Sequence, residues 1–228
     1  MKKVPMLLLL SILAGTSVAA AQDFGHVTVF ASGSFLAGER TFVTEDPDEV
    51  FRTDYQTGAK VGFRYTVDLD DYWAGEASYS LGRNSLRVNE LDQPNTFSVF
   101  EINLHQINLN ALYYLAPLGQ DTRGFVTFGL GMTRFSPTDQ AQANAVQNLF
   151  DDSAVIDGST KWGVNFGGGV ESRMSDRMGL RFDLRDHVMP IPRYGLPETQ
   201  EAPGDAFYPV DGSVHNFEAS VGLLFYLR

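Results

Sequence analysis

The side chains most suited to act as a base near neutral pH are four histidines, His26, His105, His187 and His215. A hydrolytic site needs such a base within hydrogen-bond reach of a nucleophile and of an orienting acid. Asp186 and His187 are adjacent, and adjacent strand residues point to opposite faces, so these two cannot pair within one strand. His215 and Ser220 also face opposite sides. We therefore predict no catalytic residues and a non-enzymatic protein.

Acidic residues cluster at two places that could attract divalent cations: Glu45, Asp46, Asp48 and Glu49 in the first, and Asp151 and Asp152 in the second. Neither cluster has the ligand spacing of a calcium loop. The simpler interpretation is that these acidic residues lie in solvent-exposed loops. We predict divalent cations as candidate partners of these loops, but no defined metal site and no cofactor.

Composition excludes some classes of protein. The chain has 17 basic and 28 acidic residues, a net charge of −11, which argues against binding nucleic acid because phosphates need a basic surface. It contains no cysteine. An exported domain without disulfides must be stabilised by a large sheet, a closed barrel or a membrane.

The first 21 residues have the three parts of a secretory signal. Lys2 and Lys3 precede an apolar run over residues 4–13, and small residues follow at 19–21. The apolar run is too short to cross a bilayer as a helix, which needs about 20 residues. We predict cleavage before Gln22, which divides the chain into a signal peptide, 1–21, and a single domain, 22–228.

Apolar residues recur with a period of two in eight stretches, the pattern of half-buried strands. The predicted strands cover residues 26–36, 57–67, 71–81, 98–114, 123–135, 160–173, 177–188 and 214–227. Their connections alternate between short and long: those at 68–70 and 174–176 are tight, the one at 115–122 is moderate, and the other four are longer. This asymmetry is typical of an outer-membrane barrel, which has brief periplasmic turns and longer outer loops.

Glycine indicates which face of the strands points inward. The polar face carries Gly62, Gly129, Gly131, Gly163, Gly167, Gly169, Gly179 and Gly222. The interior of an eight-stranded barrel is only just wide enough for side chains, so small residues belong there. A soluble barrel would instead place its apolar face inside. We therefore predict that the polar face lines the lumen and that the apolar face contacts lipid.

The predicted inward face carries many polar and charged residues: Lys60, Arg64, Glu76, Asn108, Asn110, Arg134, Lys161, Glu171, Arg181, Asp183, Arg185 and Glu218. An unpaired ion there would carry a desolvation penalty of several kcal/mol, so we expect mutual neutralisation. The tight turns predict that Arg64 lies beside Glu76 and Glu171 beside Arg181. Arg185 or Asp183 is expected near Glu218. The prediction is a plugged lumen.

Outward aromatic residues fall near the two ends of the strands. Tyr65, Trp73, Tyr113 and Phe225 are near the periplasmic ends, and Phe35, Tyr79, Trp162 and Phe217 near the outer ends. Aromatic rings are favoured where headgroups meet hydrocarbon, so two aromatic girdles are predicted.

The fourth predicted strand changes phase. Ile102 and Leu104 are apolar at even positions, whereas Ile107 and Leu109 are apolar at odd ones. A β-bulge near 105–106 would correct the phase. Alternatively, the portion before Leu104 projects above the membrane.

The carboxyl-terminal segment 220–227 resembles the signal that the barrel-assembly machinery recognises in outer-membrane proteins, carried by Ser220, Gly222, Phe225 and Leu227. Many such proteins end on an aromatic residue, whereas here Arg228 follows. With the strand pattern, and above all the stretch 111–131, the chain is similar to the OmpA-type family of eight-stranded outer-membrane barrels. The chain stops at the eighth strand, so we expect no peptidoglycan-binding domain.

The resemblance implies an all-β, eight-stranded antiparallel up-and-down transmembrane barrel in the outer membrane. It also implies outer-membrane lipid as surroundings and the barrel-assembly machinery and periplasmic chaperones as partners during biogenesis. We expect a monomer with a structural or surface-interaction role in the envelope. One alternative is a carrier or small pore for apolar or small solutes, since Phe30, Leu112, Phe125 and Leu224 take inward positions. A lipid A-modifying enzyme is the lesser alternative.

Overall fold

The computed structural model describes residues 25–37, 40–43, 50–90, 97–141, 157–195 and 212–227. In these ranges the chain forms nine strands: β1 (Gly25–Ala37), β2 (Arg40–Val43), β3 (Val50–Asp68), β4 (Trp73–Glu90), β5 (Phe97–Tyr114), β6 (Thr122–Pro137), β7 (Ser159–Arg173), β8 (Met178–Pro190) and β9 (Ser213–Leu227). All but the short β2 correspond to the eight predicted strands.

The strands form one closed antiparallel sheet. Each long strand pairs with the next along the chain, and β1 pairs with both β9 and β3, which closes the cylinder. The short β2 pairs with the outer part of β3. The eight-stranded up-and-down barrel is therefore confirmed. Within the described ranges, no helix is both long and apolar enough to cross a bilayer.

Two strands extend further outward than the sequence pattern predicts. The β3–β4 pairing continues to Phe51 opposite Glu90, and one register irregularity lies between Gln56 and Ala59. The extra segments, 50–56 and 82–90, are rich in polar residues. Backbone pairing does not need lipid on either side, so these segments form strands without apolar alternation.

The predicted bulge in β5 is wrong. Its register with β6 runs unbroken from Ile102 opposite Pro137 to Tyr114 opposite Phe125. Ile102 and Leu104 are buried inside the barrel, and the outward residues near them are polar. The strand is therefore regular, and its outward residues change from apolar to polar along its length. This favours the alternative that the part before Leu104 lies beyond the hydrocarbon.

The two faces of the wall differ as the alternation predicts. Outward apolar side chains such as Val29, Phe63, Leu130 and Phe166 are between half and two thirds exposed, at 55%, 51%, 64% and 52%. Inside, a small apolar cluster of Ala74, Leu112, Tyr114 and Phe125 lies near the periplasmic end. Another group of buried apolar side chains lies nearer the outer end: Leu36, Phe100, Ile102, Leu104, Phe135, Met189 and Val214. Most of the buried charges lie between these two groups, whereas Asp68, Arg123 and Glu171 lie at the level of the periplasmic cluster.

The inward glycines are required by crowding. A Cβ on Gly169 would lie 2.7 Å from Cζ of Phe125, and one on Gly62 would lie 2.8 Å from Cζ of Phe30. Contacts below 3 Å force a shift of the neighbouring atoms, so a larger residue at either position would disturb the packed lumen.

Candidate functional site

The interior of the barrel holds a set of buried charges contributed by six strands. Among the described residues it comprises five bases, Lys60, Arg64, Arg123, Arg181 and Arg185, and five acids, Asp68, Glu76, Glu171, Asp183 and Glu218. We call these ten side chains the lumen network. Their formal charges cancel, so the network can be buried without a counter-ion.

Arg181 is the centre of the lumen network. Its guanidinium is fully buried and meets three carboxylates: Asp183 at 2.8 Å, Glu76 at 2.8 Å and Glu171 at 3.0 Å. Its Cζ also lies 4.4 Å from the centre of the Phe125 ring. Arginine suits this position because its planar fork can donate to several acceptors in fixed directions.

Two more arginines join the carboxylates across the lumen. Arg185 lies 2.8 Å from Glu76 and 2.9 Å from Asp183. Arg64 lies 3.3 Å from Asp183 and 2.9 Å from Glu218. Asp183 therefore accepts from three guanidinium groups. These contacts join β3, β4, β8 and β9, so the ions cross-link strands that are not all neighbours in the sheet.

The network extends toward the periplasmic end through Glu171. Arg123 approaches Asp68 at 3.3 Å and Glu171 at 3.6 Å, and it stacks 3.7 Å over the ring of Tyr114. The Tyr114 hydroxyl donates to Glu171 at 3.1 Å, and Nε2 of His26 lies 3.2 Å from the same carboxylate. This end of the lumen is therefore filled by both ions and rings.

The network extends toward the outer end through Glu218. Nζ of Lys60 lies 2.5 Å from Glu218 and donates to Gln106 at 2.9 Å. Nε2 of His187 is 3.8 Å from Glu218, so this histidine faces the lumen. Ion pairs thus run along the lumen from Asp68 to Lys60.

Register explains which predicted pairs form. Glu171 lies directly opposite Arg181, the pairing that the tight turn predicts. Arg64 does not lie beside Glu76, because Arg64 faces Ser78 and Glu76 faces Thr66.

The reason for this shift is the turn between β3 and β4. The carboxylate of Asp70 accepts hydrogen bonds from the backbone N–H of Tyr72 at 2.7 Å and of Trp73 at 2.8 Å. The turn therefore spans 69–72, longer than the predicted 68–70, and the register moves by two residues. Arg185 does lie opposite Glu218, but it forms ion pairs with Glu76 across the lumen and with Asp183 on its own strand.

Three further residues differ from the sequence prediction. Arg134, predicted to face inward, is exposed on the outer wall, because inward residues of β6 fall on odd positions such as Phe125 and Thr133. Arg123 and Asp68 were missed by the sequence analysis. Each stands an even number of residues from inward neighbours on its strand, and this spacing could have identified it. Both residues lie at the ends of their strands, where the pattern is harder to read.

The histidines are distributed over both faces. His187 faces the lumen, and Asp186 lies on the outward face opposite Phe217 although it is only 8% exposed. Across the β8–β9 pair, however, Nδ1 of His215 donates to Asp186 at 2.7 Å, a partnership that sequence spacing did not predict. Among the residues that the structure describes, no three His, Cys, Asp or Glu side chains come together to hold a metal ion. Both predicted acidic loop clusters, 45–49 and 151–152, lie outside the described residues, as does the predicted signal, 1–21.

The predicted girdle residues all point outward: Phe35, Tyr65, Trp73, Tyr79, Tyr113, Trp162, Phe217 and Phe225. Trp162 is the most exposed of these at 69%. On β9, Ser220 and Gly222 face the lumen, and Phe225 and Leu227 face outward. The geometry permits the predicted girdles and leaves the two outward residues of the predicted assembly signal accessible.

A closed sheet with an apolar outer wall and a neutral ionic interior defines an integral β-barrel of the outer membrane. The family model for the outer membrane protein beta-barrel domain matches residues 6–225, and the chain belongs to this family. It is accordingly an outer-membrane protein.

Solved structures with the same fold share little sequence with this chain. Outer membrane protein OprG from Pseudomonas aeruginosa has a TM-score of 0.59 and 11% identity over 90% of this chain and 97% of its own. Outer membrane protein AlkL, solved in lipid bilayers, has a TM-score of 0.55 and 14% identity over 93% and 94%. Neisserial surface protein A has a TM-score of 0.52 and 12% identity over 89% and 97%. A comparison with curated protein sequences gives no significant match.

Proposed function

We propose that this protein is a non-enzymatic barrel with a structural or surface-interaction role in the cell envelope, and that the lumen network closes its interior. The observation that supports this proposal is the mutual neutralisation of ten buried charges, with Arg181 fully buried among three carboxylates. An ion passing through the lumen would have to separate these pairs, and breaking a buried pair costs about 3–5 kcal/mol.

Conductance in planar bilayers tests the closed lumen. The wild-type barrel is expected to show no steady open channel. The double variant Glu76→Ala with Arg185→Ala removes a facing acid and base together, keeps the interior neutral and is expected to raise conductance.

The matched control removes the Arg83–Glu101 pair, which lies 3.1 Å apart on the exposed outer wall, and should leave conductance unchanged. Large, steady conductance by the wild-type protein would contradict the proposal.

The inward apolar residues favour core filling over a carrier for apolar solutes. Phe125 is 2% exposed and packs edge-on against Tyr114 with ring centroids 5.7 Å apart. Phe30 is 5% exposed and lies under the Arg64 guanidinium at 3.6 Å. Leu112 and Leu224 are fully buried. Uptake of a fatty acid or an alkane into the lumen, seen by native mass spectrometry, would favour the carrier.

The non-enzymatic proposal is tested at the Asp186–His215 pair, since it combines a base with an orienting acid. The purified barrel should release no acyl chain or sugar from lipid A or phospholipid. Turnover that disappears in both His215→Ala and Asp186→Asn would contradict the proposal, whereas turnover unaffected by either variant would point to a contaminant.

Export and assembly follow from the same proposal. The protein purified from outer membranes should begin at Gln22, as intact mass spectrometry can show, and should run as a monomer. Substituting Phe225 by Ala should slow folding by the barrel-assembly machinery, because this residue belongs to the proposed signal. Assembly at the wild-type rate would argue against that signal.

A further inference from the structure

The outer wall carries a basic side chain that the lumen network does not use. Arg134 on β6 lies directly opposite His105 on β5, and both are exposed on the outward face. Side chains in such directly opposite positions have Cβ atoms about 5 Å apart. Arg134 and His105 therefore form one local group, which we call the wall pair.

The wall pair offers hydrogen-bond donors. The hydroxyl of Tyr79 lies 2.9 Å from Nδ1 of His105. When this hydroxyl donates to Nδ1, the imidazole proton is on Nε2, which is then a donor. The guanidinium of Arg134 extends toward the outer end of the barrel. Its Nη2 atom lies 3.4 Å from the position that a Cβ on Gly158 would take. Glycine at 158 leaves room beside this guanidinium.

Arg134 lacks a carboxylate partner among the described residues, whereas its neighbour on the same wall has one. Arg83 pairs with Glu101 at 3.1 Å and donates to Asn103 at 3.2 Å. Directly across from Arg134 on the other side, β7 places Thr160, whose hydroxyl can donate. The surroundings of Arg134 thus suit an anion from outside the chain.

The position of the wall pair identifies where that anion comes from. One step toward the middle of the barrel, the same three strands place Ile107, Met132 and Trp162 side by side. Trp162 belongs to the predicted outer girdle, and such rings mark the boundary between hydrocarbon and headgroups. The wall pair therefore lies at the level of the lipid headgroups, on the side of the long loops.

We propose that the wall pair binds a phosphate of a glycolipid in the outer leaflet, of the lipid A type. An arginine fork donates to phosphate in a bidentate manner, and His105 supplies another donor beside it. A chain with a net charge of −11 needs such a local base to hold a phosphorylated headgroup. The site is on the outer wall and does not depend on whether the lumen is closed.

Titration of the folded barrel in neutral detergent micelles tests the proposal. The probes are bis-phosphorylated lipid A, dephosphorylated lipid A and phosphatidylglycerol, and the readout is tryptophan fluorescence together with native mass spectrometry. Bis-phosphorylated lipid A is expected to bind about tenfold more tightly than the dephosphorylated form, the factor that one charge-assisted contact provides.

The variants distinguish a specific phosphate site from non-specific electrostatic attraction of anionic lipids. Arg134→Gln should lose the tenfold preference, and Arg134→Lys should keep only part of it because it retains the charge without the fork. Arg83→Gln is the matched control and should bind as wild type. Heat-modifiability in electrophoresis verifies that each variant is folded.

Three results would overturn the proposal. They are equal affinity for the two forms of lipid A, wild-type affinity in folded Arg134→Gln, and phosphatidylglycerol binding as tightly as bis-phosphorylated lipid A. The last result would mean that the wall pair attracts any anionic lipid.

Discussion

Arg181→Gln is the substitution that most directly measures the strength of the lumen network. The side chain is fully buried and contacts Asp183, Glu76 and Glu171 at 2.8, 2.8 and 3.0 Å. Its loss would leave the interior with one uncompensated negative charge. Removing one partner of a buried ion pair costs about 3–5 kcal/mol, so we expect the free energy of unfolding to fall by at least that amount.

The matched control is Arg83→Gln, which breaks an ion pair whose side chains are 59% and 48% exposed. Exposed pairs contribute about 0.2–1 kcal/mol, so this variant should differ little from wild type. Adding Glu171→Gln to Arg181→Gln restores neutrality inside and should recover about 1–3 kcal/mol through the coupling between the two sites.

Urea unfolding in lipid vesicles, followed by fluorescence of the two tryptophans, provides the measurement. The reasoning would be refuted if Arg181→Gln and Arg83→Gln lowered the free energy of unfolding equally, both by less than about 1 kcal/mol. A double variant less stable than Arg181→Gln alone would refute it too, because neutrality would then not be what stabilises the interior.

Two further predictions concern the packing of the lumen and the lipid-facing side of the wall. Gly169→Ala should destabilise the barrel by about 1–3 kcal/mol, because its Cβ would crowd the ring of Phe125, whereas Gly75→Ala should be neutral because nothing lies within 4 Å of its Cβ; equal urea midpoints for the two variants would contradict this. Leu130→Arg should cost about 2–4 kcal/mol in vesicles, because Leu130 is 64% exposed on the face assigned to lipid, and an unchanged midpoint would count against that assignment.

The sequence predicts the strands well because lipid and a narrow lumen impose different chemistry on alternate residues. In β9 the outward Val221 and Leu223 alternate with the inward Ser220 and Gly222, and the predicted and observed strands differ by one residue. The polar outer parts of β3 and β4 were not predicted, because beyond the hydrocarbon the outward residues do not have to be apolar.

The contacts within the lumen were harder to predict than the face of each residue. The turn bonds of Asp70 shift Arg64 away from Glu76 by two residues, and sequence spacing does not show that shift. Contacts across the barrel, such as Arg64 with Asp183 at 3.3 Å, depend on the closure of the sheet. The Asp186–His215 pair depends on the register across a long loop.

Quenching of single labelled cysteines by brominated lipid tests most directly that the apolar face meets hydrocarbon. The chain has no cysteine, so labels can be placed singly at Val126, Thr127 and Phe128, which are 48%, 3% and 56% exposed. Labels at positions 126 and 128 should be strongly quenched in vesicles, and the label at 127 should not. Quenching at 127 alone, or a chain that stays folded and monomeric in plain buffer, would contradict the account.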